Sequence, residues 1–404
     1  MVFNSQRRCW ILICLLLPAL AAAEPFKPTL DSAVLERLPS NASYLSAAKI
    51  RASRAQMAAH PTDLQFALRT AQQYIALARV DGDPRYLGYA EAALKYWWAM
   101  PHPPVQVRLL RATIRQSNHE FDTALTDLSM ALKSDPANPQ IWLTRSAVYQ
   151  VVGRYSEARQ DCLALLRVSD QFVSSMCLAN IASVTGQARA GYQLLKRALS
   201  DAGNVSDSEL QATYTQLAEI AQRLGDNVQA ERHYQQALAL PKYDAYVTTA
   251  YADFLLDQGK PAQVLQLLRG GTASDAVLLR VALAKQALLD PSLSTDIIAL
   301  QNRFEGSRLR GDTVHRREQA SFALHLLKQP HQALRFAQAN WQVQREPADA
   351  RILLEAALGA NNAAAAKPVL AWLQQSRLED GMITRLAREL TFKLQVANLP
   401  ARNT

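Results

Sequence analysis

The sequence predicts an all-α protein, a solenoid of antiparallel helix pairs, and three observations predict it. Gly (14) and Pro (18) are sparse over 404 residues that are 49% hydrophobic; the dominance of Ala, Leu, Gln and Arg favours helices and leaves too few turn residues for many short strands. Apolar and small residues fall at i, i+3, i+4 and i+7 in blocks about a dozen long, the pattern of one buried helix face. The blocks recur with a fixed period, the mark of a repeat architecture. A mean hydropathy of −0.12 with a single long apolar run excludes a polytopic membrane protein.

Residues 1–23 read as a secretory leader. Arg7 and Arg8 precede the apolar run Cys9–Leu20, interrupted only by Pro18, and Ala21-Ala22-Ala23 offers a small-x-small cleavage site before Glu24. The run is shorter than the roughly 20 apolar residues of a membrane span, so no stable anchor is expected after cleavage. Cys14, flanked by bulky neighbours, does not suit lipid attachment. Export to the bacterial periplasm is therefore expected, with secretion as the alternative. It leaves Cys162 and Cys177 as the only mature cysteines, in an oxidising compartment.

After an N-terminal extension (24–60), the repeats begin. The block from Val105 carries Leu109, Ala112, Phe121, Ala124, Leu128 and Ala131 before Asp135-Pro136. The block 34 residues later carries Trp142, Ser146, Tyr149, Gly153, Tyr155, Ala158 and Cys162. Around Gly225, one helical face is Tyr214, Leu217, Ala218 and Ala221, and the next is Ala230, Tyr234, Ala237 and Leu238. Gly82, Gly153, Gly186, Gly225 and Gly259 mark the turns inside the pairs, where a left-handed residue is needed. Two breaks are expected: the stiff Met100–Pro104 connection, whose prolines remove donors, and an irregular basic junction at 291–313. These divide the chain into a main array (61–290) and a C-terminal helical array (314–404).

The 34-residue unit, best developed in Val105–Arg167 through Trp142, Tyr149, Gly153, Tyr155, Ala158 and Asp135-Pro136, resembles the tetratricopeptide repeat. The resemblance extends over Phe172–Leu199, Gln211–Leu240 and Ala245–Leu268, more loosely over Asp63–Leu94 and His315–Trp341, and most weakly over Ala348–Trp372. Gly191 stands where the repeat usually has Ala. The resemblance implies a right-handed superhelix whose first helices line a concave groove that binds a peptide or a partner's helix. In that register the lining is Gln106, Leu109, Thr113 and Gln116, then Leu143, Ala147 and Gln150, Met176 and Asn180, Thr215, Glu219 and Gln222, then Thr249 and Asp253. This mixed, mostly uncharged set lacks the Lys, Arg and Asn of a clamp for terminal carboxylates.

Little in the chain points to catalysis. The seven histidines show no HExxH or His-x-His spacing, and no GxSxG, Walker loop or GxGxxG occurs. Ser46-Ala-Ala-Lys49 and Arg310-Gly311-Asp312 are short enough to arise by chance. No enzyme activity, metal or cofactor is expected. Residues 300–404 hold 15 Lys+Arg against 9 Asp+Glu, and Arg303, Arg308, Arg310, Arg316 and Arg317 crowd the junction beside His315 and Glu318. His315, Glu318, Phe322 and His325 share one helical face. This section could meet an acidic protein or polysaccharide; export disfavours nucleic acid despite the pI of 9.4.

Cys162 and Cys177 lie equally far either side of a turn near Ser169-Asp170, late in one pair and early in the next. Antiparallel packing puts them at the same height, and a disulfide is expected. The leading functional reading is a non-enzymatic periplasmic scaffold or adaptor; the alternative is a component of an exopolysaccharide export or cell-surface assembly machine.

Overall fold

The computed structural model describes residues 52–397 except 54, 58, 242–243 and 271–273. The expected leader at 1–23 with Cys9 and Cys14, most of the 24–60 extension and Ser46–Lys49 lie outside the described residues. No strand occurs among the described residues. Nine helical hairpins follow one another: α1 (Leu64–Asp81) with α2 (Arg85–Ala93) and the short α3 (Lys95–Trp98); α4 (Val105–Ser117) with α5 (Phe121–Ser134); α6 (Pro139–Val151) with α7 (Tyr155–Leu165); α8 (Gln171–Val184) with α9 (Ala188–Asp201); and α10 (Asp207–Arg223) with α11 (Asn227–Leu238). Then come α12 (Ala245–Asp257) with α13 (Pro261–Leu267); α14 (Asp275–Ala287) with α15 (Leu293–Leu309); α16 (Arg316–Ser321), continued by a π-helical turn Phe322–Leu326, with α17 (Pro330–Trp341); and α18 (Pro347–Gly359) with α19 (Lys367–Ser376). A single helix α20 (Gly381–Ala397) follows.

Local chemistry sets both ends of each pair. Most first helices start at polar caps: Asp63, Asn138, Asp170, Asp244 and Ser274 accept backbone N–H bonds, and Ser206 with Glu209 makes a reciprocal capping box, while Val105–Ser117 follows Pro104 without a side-chain cap. First helices end on a left-handed residue, which lets the next N–H reach back over the last turn, as Arg154 N does to Tyr149 O (2.7 Å) and Asp226 N to Ala221 O (2.9 Å). Five of these residues are the glycines read from the sequence. The other four, His119, Leu289, Lys328 and Asn361, have φ of 50–61°, so the same turn closes without glycine and the period fades there. Residues 293–309 correct one expectation: the segment read as irregular is the 17-residue α15, which buries Leu300, Phe304 and Ser307.

Within the best-matched hairpins, a buried ion pair repeats with the chain period. Arg111 donates bidentately to Asp127 (2.8 and 2.6 Å), and Arg145, 34 residues on, donates to Asp161 (2.8 and 2.7 Å). Each ties a first helix to its second, a planar fork matched to a carboxylate. Gly191 is explained by contact: a Cβ there would lie 2.8 Å from Ala179 O, so α9 could not approach α8 so closely with Ala. Cys162 and Cys177 are disulfide-bonded, with Cα atoms 5.4 Å apart, joining α7 to α8 across neighbouring hairpins.

Successive turns of the solenoid also touch, along a seam where hairpin turns meet the loops between later hairpins. Gly82 faces Ala245 and Ser274, and Arg79 pairs with Asp244 (2.9 Å). Arg345 N donates to Val151 O (2.7 Å) beside Gly153, and Ala188 N donates to Glu379 Oε2 (2.6 Å) beside Gly186. The first hairpin thus meets the sixth and seventh, the third meets the loop between the eighth and ninth, and the fourth meets the loop before α20. Gly225 and Gly259 have nothing within 4 Å of where a Cβ would stand. At these two turns no other part of the chain closes on the backbone of the glycine.

That contrast is testable by replacing Gly186 and Gly225 in turn with Ala and measuring urea unfolding. Both have positive φ (75° and 80°), but a Cβ at 186 would also lie 2.8 Å from Arg377 Cβ and 3.0 Å from Arg377 O. Gly225→Ala is expected to cost about 1 kcal/mol of backbone strain, and Gly186→Ala about 2–4 kcal/mol, because overpacking adds to it. Equal losses would mean that the seam contact contributes nothing.

Candidate functional site

Inside the seam, charged side chains from several hairpins meet, the second hairpin's His119 lying near Arg317 of the eighth. Arg317 on α16 pairs with Glu346 (3.1 Å), Asp349 (3.4 Å) and Glu318 (3.7 Å). Asp349 is buried and also accepts from Asn340 (2.8 Å) and Gln344 (3.1 Å). Arg280 on α14 clamps Asp253 on α12 with two bonds of 2.8 and 2.6 Å. Tyr246 donates its hydroxyl to Glu219 (2.5 Å) yet keeps 56% of its surface accessible. Space therefore remains open beside the network. Next to it, Arg351 bridges Asp257 (2.6 Å) and Glu355 (2.8 Å), and His325 meets Glu355 at 3.3 Å.

The charges act on one another across hairpins. The negative charge of Glu219 holds the Tyr246 phenol well above its usual range. Burial raises the Glu346 carboxyl, with Arg317 opposing and Asp349 and Glu219 reinforcing. Burial would also raise Glu318, but Arg317, Arg280 and His315 outweigh it and hold that carboxyl below the usual range. Burial and the nearby Arg317 lower His119, which reaches this region from the second hairpin's turn. The interior is a polar chamber in which the carboxylates Glu219, Asp253, Glu318, Glu346 and Asp349 face the guanidiniums of Arg280 and Arg317.

The groove residues read from the repeat register are placed on the first helices, but their states differ. Thr215 is buried and donates to Gln211 O (2.7 Å), and Thr249 likewise turns back to Ala245 O (2.9 Å). Gln222 accepts from Tyr234 (3.1 Å), Glu219 from Tyr246, and Asp253 from Arg280. Thr113 donates to Leu109 O (2.9 Å), and Met176 Sδ receives Thr213 (3.4 Å). Ala147 and Gln106 are exposed, while Leu109, Gln116, Leu143, Gln150 and Asn180 are half-buried.

The junction residues are drawn into intramolecular pairs. Arg303 meets Asp275 (3.3 Å), Arg308 meets Glu305 (2.6 Å), Arg310 meets Ser307 (3.2 Å), and His315 meets Asp312 (3.6 Å). Arg316 donates to Ala339 O (3.3 Å). Tyr246, Arg280, Glu346, Asp349 and Arg351 had no signal in the repeat register, because their partners come from other hairpins. Among the described residues, no group of three His, Cys, Asp or Glu is placed to hold a metal, and no helix is long and apolar enough to cross a membrane.

The Arg351 bridge gives a pH prediction. Burial would raise the Glu355 carboxyl, but the hydrogen bond from His325 and the charge of Arg351 outweigh it and hold it below the usual range. A depressed carboxylate stabilises the fold above its unfolded value, near 4.3, and loses that contribution as pH falls through its folded value. Glu355→Gln is therefore expected to cost about 1–2 kcal/mol at pH 7, discounted for partial exposure. The gap from wild type should shrink as pH falls below about 4.3. Thermal unfolding from pH 7 to 3 checks it; a constant gap contradicts the assignment.

No protein-family model matches the chain, and no curated protein sequence matches it. Among solved structures, it is similar to the APC/C hetero-tetramer Cut9–Hcn1, with a TM-score of 0.48 and 13% identity over 81% of this chain and 63% of that one. It is also similar to a tetratricopeptide repeat protein from Parabacteroides merdae, with a TM-score of 0.38 and 16% identity over 60% of this chain and 98% of that one. A third similar structure is the TPR domain of P58(IPK), with a TM-score of 0.25 and 15% identity over 73% of this chain and 99% of that one. The chain spans 63% of the length of the Cut9–Hcn1 chain it matches. The described residues fold as an all-helical solenoid of antiparallel hairpins.

Proposed function

We propose that the chain is a non-enzymatic scaffold of the bacterial periplasm that holds an extended segment of a partner protein along its inner face. The observation that carries this reading is the inner polar network: charged side chains from several hairpins converge beside Tyr246, which stays more than half accessible. Solenoids offer such continuous inner surfaces, with each hairpin adding a short stretch of contact. More carboxylates than guanidiniums line the chamber, so a segment carrying Lys or Arg complements it. The alternative, a place in exopolysaccharide export, rests on junction cations that pair within the chain, and it is not taken further. The leader at 1–23 supports export.

A photo-crosslinking amino acid placed at Gln150 or Tyr246, on the inner helices, is expected to capture a partner in cells. One at the exposed Arg159 on α7 is not. Capture only from Arg159 overturns the reading. Mature protein purified from the periplasm is expected to begin at Glu24, as read by intact mass; an unprocessed cytoplasmic chain overturns the location.

A further inference from the structure

The disulfide lies between the two hairpins that carry the later part of the seam. Cys162 is fully buried in a cluster with Ala158 and Ile181, against which Tyr149, Tyr155, Cys177 and Leu178 pack. Tyr155 belongs to both structures. It packs on the disulfide cluster, its hydroxyl donates to Arg345 O (3.4 Å), and it accepts from Trp372 Nε1 (3.1 Å). On the other side of the bond, α8 contributes Val184 to the core of the ninth hairpin and α20. It then runs into the turn where Gly186 meets Arg377 and Ala188 N meets Glu379. Both halves of the later seam are thus attached to the two helices that the bond joins.

We propose that the Cys162–Cys177 bond is a redox clasp on the seam: formed, it holds the later seam contacts together, and reduced, it lets the third and fourth hairpins part from the eighth, ninth and α20. Bonded cysteines hold the backbones of α7 and α8 at a Cα separation of 5.4 Å. Two thiol sulfurs cannot share that space and must move to van der Waals separation, and Cys162 has no room to give because it is fully buried. The displacement passes through Tyr155 and Val184 to the seam.

The exchange balances with a dithiol as reductant. Its thiolate attacks the sulfur of Cys177, the half-buried member, and the Cys162 sulfur leaves with the electron pair and is protonated. The dithiol's second thiolate then displaces Cys177, whose sulfur is protonated in turn, so two electrons and two protons pass to the protein and the dithiol becomes a disulfide. Ser146 Oγ stands 3.1 Å from the Cys162 sulfur and 3.4 Å from that of Cys177 while donating to Ala158 O (3.0 Å). It is placed to accept the restored S–H of Cys162.

Amide hydrogen exchange on the intact protein, oxidised and then reduced with dithiothreitol, tests this without reference to any partner. Peptides containing the Arg345 and Ala188 amides are expected to exchange at least tenfold faster after reduction, and to recover on reoxidation. Those at the Gly82–Ala245 contact should be unchanged. Tyr155→Phe should already exchange faster at Arg345 while oxidised, and respond less to reduction. Unchanged exchange at Arg345 and Ala188, with two free thiols confirmed by labelling, overturns the proposal. So does a general loss of helicity on reduction, which makes the bond a staple of the whole fold.

Discussion

Contact between successive turns of the solenoid is the constraint on which the rest depends. A repeat array ordinarily has only nearest-neighbour interfaces, so its inner surface stays open along its length. Here the hairpin turns at Gly82, Gly153 and Gly186 come so near the loops of later hairpins that a Cβ would stand 2.8–3.2 Å from them. Glycine therefore serves two ends at these three places. It relieves the left-handed turn, and it removes the one atom that would hold the turns apart.

Closing the seam changes what the inner residues do. Charges that would be solvated on an open concave face are brought within reach of one another, so Arg280 reaches from α14 to Asp253 and Arg351 from α18 to Asp257. These pairs are costly to bury and gain only when both partners are present and well oriented. Arg280–Asp253 reinforces the contact between neighbouring hairpins, whereas Arg351–Asp257 couples the ninth hairpin to the sixth. The second kind of pair makes the array less like a row of independent units than its sequence period implies, because it adds an interface beyond the nearest neighbour.

The disulfide and the periodic Arg–Asp pairs show two scales of reinforcement. Arg111–Asp127 and Arg145–Asp161 tie a first helix to its own second helix. Cys162–Cys177 ties one hairpin to the next, at the place where later hairpins dock. Local pairs hold each unit rigid, and the covalent one sets the register between units. Tyr155, shared by the disulfide cluster and the seam, links the second scale to the closure of the chamber.

By itself, the sequence determined the helical class, the period, the turns at Gly82, Gly153, Gly186, Gly225 and Gly259, and the pairing of Cys162 with Cys177. All of these follow from residues near one another in the chain: caps, left-handed turns and one buried face per helix. The α15 helix was obscured because its buried face, Leu300, Phe304 and Ser307, is narrow and its surroundings are charged. Only the tertiary structure decided the rest. It turned the junction arginines into internal partners, gave Thr215 and Thr249 to their own helix backbones, and brought Glu219 to Tyr246 and Arg317 to Glu346. A helical period specifies which face of each helix is buried. The superhelical curvature that brings distant turns together is the sum of many small rotations between hairpins, and no local pattern of residues encodes that sum.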